Sequence, residues 1–250
     1  SLLAIAPGLF APYDPHFIDY NAVRQPPSWA HPFGTDMLGR DSLSRVISAY
    51  TVNMQMALLA TIFALIIGVT VGAFVGYYRG VADIIFGRLV DAIITFPFLV
   101  LVIAVVAVLG PGLINMYIAI TMVGWVYYAR LTRAEVITQM GNDYAAAGIV
   151  MGYSDRRIIF RHLLPNAITP VIVYWMTDMA LAILLGSSLG YLGLGAQPPQ
   201  SEWGVLIAEG RNFITTAWWL SLMPGVAIVM TGLGFSLIGD GLADLLRPRG

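Results

Sequence analysis

The sequence predicts an all-α, polytopic membrane protein, and three observations carry that expectation. Of 250 residues, 58% are hydrophobic and 11% charged, where soluble domains carry about 25% charged residues; the mean hydropathy is +0.77. Uncharged windows of spanning length recur, and about 20 apolar residues suffice to cross the hydrocarbon core as a helix. The arginines fall unevenly between the connections that join those windows. All 13 basic residues are arginine, against 14 acids, a balance that points neither to a nucleic-acid surface nor to an acidic substrate. Without cysteine there is no disulfide framework, thiolate zinc site or cysteine nucleophile.

The opening "SLLAIAPGLFAPYDP" has about a dozen apolar residues before Tyr13, short of a crossing. It reads as a truncated first span with one upstream segment missing, since the charged n-region and cleavage site of a signal peptide are not visible. Between Arg45 and Arg79 no charge occurs, which predicts a second span centred on "ALLATIFALIIGVTVGAFVG". Ala60, Ala64, Gly68, Gly72 and Gly76 recur along it at four-residue spacing, a seam for close helix packing. The uncharged window from Ala92 to Ala129 is too long for one crossing and is cut at Gly110-Pro111-Gly112. It predicts a third span from near Ile84, with Arg88 and Asp91 in its opening turns, and a fourth from Leu113 to Ala129. A fifth fits Ala167 to Leu192 and a sixth Ala217 to Gly239.

Arg79, Arg88, Arg130, Arg133, Arg156, Arg157, Arg161, Arg247 and Arg249 fall on one side of these spans; Arg24, Arg40, Arg45 and Arg211 fall on the other. Positive charge concentrates in cytoplasmic loops, so both termini are expected in the cytoplasm, with residues 13–50 and 193–216 facing outward and residues 130–166 inward. Without repeats or a low-complexity linker, residues 1–250 read as one membrane domain.

The inward insertion has its own structure. Thr132 to Met151 reads as a helix stopped by Gly152. Ser154 is an N-cap for a second short helix, with Asp155 in its first turn and Pro165 as its end. Arg157 and Arg161 lie four apart, with Ile158, Ile159, Phe160, Leu163 and Leu164 supplying apolar faces. Such a helix fits two readings: docking into a groove on a cytoplasmic partner, or anchoring against anionic lipid.

Outside, Gly34, Asp36, Gly39, Arg40 and Asp41 form a turn-rich loop, and Pro198-Pro199 with Trp203 mark a stiff second one; both suit either a docking surface or a packed cap. Asp178 lies near the middle of the fifth span, where an ionised carboxylate costs about 2.5–3.5 kcal/mol. Tyr174, Leu181 and Leu185 share its face, so it either lines a pathway or pairs with a neighbouring helix. "GSSLG", Gly186 to Gly190, matches the nucleophile pattern G-x-S-x-G at Ser188. It lies inside a span, and no histidine among His16, His31 and His162 is at hand as base. A self-sufficient carrier predicts inverted repeats, which are not visible. With no lysine, no GxxxxGK[ST] loop exists, so ATP-driven transport requires another chain to hydrolyse ATP.

The stretch "DYAAAGIVMGYSDRRIIFRHLLPN" resembles the signature of permease subunits of binding-protein-dependent ATP-binding-cassette importers: Glu-Ala-Ala, three residues, Gly, nine residues, Ile, one residue, Leu-Pro. Gly152 takes the glycine and Leu164-Pro165 the close, while Ala146-Ala147-Gly148 stand for Glu-Ala-Ala and His162 for Ile. "HPFGTDMLGRDSLSR", "RLVDAIITFPFLVL", "FRHLLPN", "LGYLGLGAQPPQSEWG" and "GDGLADLLRPR", in order along the chain, are similar to the C-type permease of dipeptide and oligopeptide importers. The resemblance implies the type I importer transmembrane fold, with a coupling helix. Its ATPase contacts would fall on Ala147, Gly148, Gly152, Ser154, Asp155, Arg156, Arg157, Arg161, Leu164 and Pro165. Asp178, Tyr174, Ser187 and Ser188 would border the pathway, although Gly186 stands where the family often has a glutamate. Asp36, Arg40, Asp41 and Trp203 would serve binding-protein docking. The implied partners are a homologous second permease, two ATPase subunits carrying ATP and Mg, an extracytoplasmic substrate-binding protein and the lipid bilayer of a prokaryotic inner membrane. No cofactor or metal is implied on this chain, and no catalysis. Relatives of this kind also handle nickel chelates, glutathione and some sugars.

Overall fold

The computed structural model describes residues 2–197 and 199–246, so Pro198, Arg247 and Arg249 lie outside the described residues. Among those described, extended pairing is limited to one bridge between Thr35 and Asp41. After a single turn, α1 (Leu2–Ile5), and a mostly irregular segment, the long helix α2 runs Ser42–Tyr78. Its start is set by Asp41, whose carboxylate accepts from the Ser44 N–H at 2.8 Å, the bond a helix N-cap supplies to an otherwise orphaned donor. The last nine residues of the predicted outer segment 13–50 are therefore helical. Thirty-seven residues at about 1.5 Å each span about 55 Å, well beyond the hydrocarbon core of about 30 Å.

The predicted third span is not straight. It divides into α3 (Gly80–Thr95) and α4 (Phe98–Leu109), which meet at 91°. Pro97 causes the break: its ring disfavours helical geometry at the residue before it, and Phe96 takes ψ 141°. The next helix, α5 (Leu113–Met140), continues beyond the predicted limit at Ala129, because nothing before Gly141 interrupts it. The predicted helix from Thr132 to Met151 is consequently two pieces, the end of α5 and the separate α6 (Asp143–Val150).

Pro165 does not end the insertion either. A short α7 (Asp155–Arg157), a π turn (Ile158–Leu163) and α8 (Leu164–Tyr191) form one unbroken helix from Asp155 to Tyr191. The wide turn closes with the Leu164 N–H donating to the Ile159 carbonyl, five residues back. Pro165 directly follows that wide turn, which accommodates its ring and missing N–H inside the continuous helix. Glu202 caps α9 (Trp203–Gly210), and α10 (Trp219–Leu246) closes the described chain.

By length and composition, α2, the Asp155–Tyr191 helix and α10 can each cross a membrane, and the bent α3–α4 pair makes a possible fourth. The sequence predicts six. α5 is long enough, but Asn115, Thr121, Tyr117, Tyr127 and Tyr128 dilute its apolar character; in the opening stretch only Leu2–Ile5 is α-helical. Phe63, Ile67, Val229 and Met230 are exposed on α2 and α10, which suits hydrocarbon as solvent and not water.

The small-residue seam packs as its spacing predicts. Ala60, Ala64, Gly68, Gly72 and Gly76 are all buried, and they face α5. A Cβ on Gly68 would come within 2.5 Å of the Trp125 carbonyl oxygen, and one on Gly76 within 2.9 Å of that of Arg133. Thr121 Oγ1 donates to the Ala60 carbonyl at 2.9 Å across the same seam.

Candidate functional site

The element between α5 and α8, expected on the cytoplasmic side, is built on an apolar floor. Ile158, Ile159 and Leu163 are buried together with Ala145 of α6, Ala73 of α2, Val136 of α5 and Ala167 of α8. Burying a large aliphatic side chain is worth roughly 1.5–3 kcal/mol, so this cluster ties the element to three spans. Gly148 is buried beside Tyr153 and Ile158. Gly152 turns the chain at φ +73° with open space around it, the left-handed conformation that favours glycine.

The opposite face is free. Ala147, Ile149, Val150 and Met151 are exposed, Val150 by 87%. Ser154, Arg156, Arg157, Arg161 and Pro165 are exposed too, whereas Leu164 is half-buried. Phe160 meets Phe74 of α2 edge-on at 5.9 Å between ring centroids. The Arg157 guanidinium lies 4.0 Å over the Tyr153 ring, a cation–π contact that holds the charge in place. Ser154 occupies the N-cap position with extended backbone, but its hydroxyl makes no capping bond. Asp155 does more than meet the helix dipole: its Oδ1 accepts from the Tyr77 hydroxyl at 2.8 Å and its Oδ2 from that of Tyr78 at 2.9 Å.

In the spans, Asp178 accepts from the Tyr128 hydroxyl at 2.6 Å, and Tyr174 packs edge-on against Tyr128 at 5.1 Å. Ser187 is buried, with its Oγ 2.9 Å from Glu202 Oε1 and 3.3 Å from Asn53 Oδ1. Glu202 is itself fully buried and accepts from the Gly204 and Val205 N–H groups at 2.9 and 3.1 Å. Burial pushes its carboxyl above the ordinary glutamate range, against the opposing pull of those donors. Ser187 and Ser188 both border an open cleft of about 330 Å³ with Leu184, Tyr191, Ile207 and Ile228.

The outer residues singled out from the sequence face inward. Asp36, Asp41 and Trp203 are buried, and Arg40 Nε is 2.6 Å from Asp36 Oδ2. Arg45 joins them: its Nη1 lies 2.8 Å from Asp36 Oδ2 and 2.5 Å from Glu209 Oε2. Trp203 donates through Nε1 to the Val46 carbonyl at 3.0 Å. Their charges and indole are spent on the frame of the outer segment, so its exposed surface belongs to others, including Phe17, Tyr20 and Trp29.

Residues 68–249 match the family model of the binding-protein-dependent transport system inner membrane component. The chain belongs to that family. Among curated relatives of this permease, the di/tripeptide transport system permease protein DppC of Pseudomonas aeruginosa is 41% identical, over 96% of this chain and 81% of the relative. The probable D,D-dipeptide permease DdpC of Escherichia coli is 40% identical, covering 99% and 83% respectively. The glutathione permease GsiD of Pectobacterium atrosepticum is 37% identical, covering 99% and 84%. Among solved structures, an inward-facing form of the MetNI methionine transporter superposes with a TM-score of 0.67 at 16% identity, covering 82% of this permease and 97% of that chain. That likeness establishes the type I importer fold.

As a member of a permease family, this chain is not itself an enzyme, and the "GSSLG" match has a structural explanation. It lies inside α8 with no strand-to-helix elbow, and the Ser188 hydroxyl donates to the Leu184 carbonyl of its own helix at 2.8 Å. Sequence reasoning passed over Tyr77, Tyr78, Tyr128, Asn53, Glu202 and Glu209. Only Glu202 had a local signal, an acidic residue directly before the apolar run "WGVLIA".

Proposed function

We propose that this permease forms half of the translocation pathway of an ATP-driven importer of di- and oligopeptides. The observation that carries the reading is the exposed apolar and basic face of the cytoplasmic element, Ile149 to Met151 with Arg156, Arg157 and Arg161, standing on a floor anchored to the spans. A face of that kind needs a partner, and two ATPase subunits holding ATP and Mg supply it for this chain and a homologous second permease. Closure of the ATPases on ATP moves both elements and shifts the spans between inward-open and outward-open states. Residues 1–250 act as one transmembrane domain in a prokaryotic inner membrane, with residues 130–166 and both termini in the cytoplasm, and bind no cofactor of their own.

On the outer side, a substrate-binding protein docks on the surface framed by Asp36, Arg40, Asp41 and Trp203 and delivers peptide to the cleft beside Ser187 and Ser188, from which the pathway runs along α8 past Asp178 and Tyr174. Peptide as the cargo rests on the relatives named for di- and tripeptide transport. The glutathione relative favours a second reading in which the cargo is that tripeptide. Reconstitution with the partner subunits and uptake of labelled dipeptide against labelled glutathione tests both. Uptake that requires ATP and the binding protein is the expected result, and Arg157→Glu with Arg161→Glu should uncouple hydrolysis from it. Full, coupled uptake by the double variant would overturn the assignment of this face.

A further inference from the structure

Both ends of α2 are fastened to elements that the proposed function sets in motion. At the inner end, Tyr77 and Tyr78 donate their hydroxyls to the two oxygens of Asp155. Their rings meet edge-on at 5.0 Å, and Phe74, one turn back, packs against Phe160. The cytoplasmic element is thereby held to α2 by a carboxylate and by aromatic contact. At the outer end, the Arg45 guanidinium reaches both oxygens of Glu209 on α9, at 2.5 and 3.2 Å. Val46 accepts from the Trp203 indole at 3.0 Å, and Asn53 meets Ser187, which bonds Glu202. α9 is thus gripped from α2 at its start and near its end.

Two routes lead outward from Asp155, and they differ in stiffness. The covalent route into α8 crosses a π turn, Pro165 and Pro170, features at which helices bend. The route through α2 crosses no proline and no π turn, and the glycines along it are buried on the α2 face that packs against α5.

We propose that α2 is a rigid strut linking the cytoplasmic element to α9, with Tyr77, Tyr78 and Arg45 as positioning residues of the transport cycle. Through it, docking of a loaded binding protein outside alters ATP hydrolysis inside. This rests on the importer reading above. A coupling of this kind requires that breaking either end weaken the same signal.

The test uses the complete reconstituted importer and reads the ratio of ATP hydrolysis with and without loaded binding protein. Tyr77→Phe with Tyr78→Phe removes two hydroxyls and keeps the rings. The ratio is expected to fall about fivefold, the lower range of allosteric couplings, while unstimulated hydrolysis and retention of the ATPase subunits stay unchanged. Glu209→Gln should lower the ratio similarly, and the triple variant should lose no more than either, the non-additivity of two breaks in one line. Tyr78→Phe alone, at an exposed position, keeps the test in hand if the pair does not assemble. A stimulated wild type with an equally stimulated Phe variant overturns the strut alone, as does a triple variant whose loss is the product of the two. A wild type without stimulation overturns the importer reading and the strut with it.

Discussion

The Tyr128 hydroxyl lies 2.6 Å from Oδ2 of Asp178, so the acid in the middle of α8 is held by α5. Tyr128→Phe would leave that half-buried carboxyl without its donor, a loss of about 1–3 kcal/mol. The thermal midpoint of the purified complex should drop accordingly. Asp178→Asn keeps an acceptor for the phenol and should cost much less, with uptake largely retained. If Asp178→Asn instead abolished uptake at unchanged stability, the acid would be contacting solute.

The α2–α5 seam makes a sharper steric claim. A Cβ on Gly72 would land on the Ala129 carbonyl oxygen of α5, backbone that cannot rotate away. Gly72→Ala should destabilise by about 1–3 kcal/mol through overpacking. Gly87, inside α3 with nothing within 4 Å, is the control, where alanine should stabilise by roughly 0.5–1 kcal/mol. Equal effects at the two glycines in thermal unfolding would refute the seam.

Glu202 carries a pH dependence. The Ser187 hydroxyl is within reach of both Glu202 and Asn53, but it has one proton to donate. A proton on Glu202 completes the relay from Glu202 to Ser187 to Asn53, in the direction that burial favours. Because the folded carboxyl holds its proton above the ordinary value of 4.5, its contribution is present in acid. That contribution is lost as pH rises through the raised folded value. The thermal midpoint should therefore decline over that window, and Glu202→Gln should flatten the decline. A midpoint that climbs there, or an unaltered slope in the variant, would contradict the relay.

The spans were legible because a bilayer demands long uncharged windows, and α2, α8 and α10 answer directly to that demand. The stop at Gly152 was legible because glycine after an alanine-rich helix has a specific conformational use. Proline was read less well: Pro97 bends a run that looks continuous, while Pro165, which looks like a stop, is absorbed by a π turn that has no sequence signature of its own. The polar nodes were hidden for a different reason. Tyr77 and Asp155 are 78 residues apart, and Tyr128 and Asp178 are 50 apart, so their pairing depends on how helices pack, which periodicity does not reveal. Asp36, Asp41 and Trp203 were visible as notable residues, but their inward orientation was not.

The importer reading requires the exposed face of α6 and the turn after it to meet a protein and not the lipid surface. Because the chain has no cysteine, Val150→Cys places a single thiol on that face, at a position 87% exposed. A short reagent, thiol-reactive at one end and photoactivatable at the other, applied to the active, assembled importer should join position 150 to an ATPase subunit, with the site shielded from reagents dissolved in the bilayer. Labelling from the lipid phase with no cross-link to the ATPase would show a membrane anchor in its place.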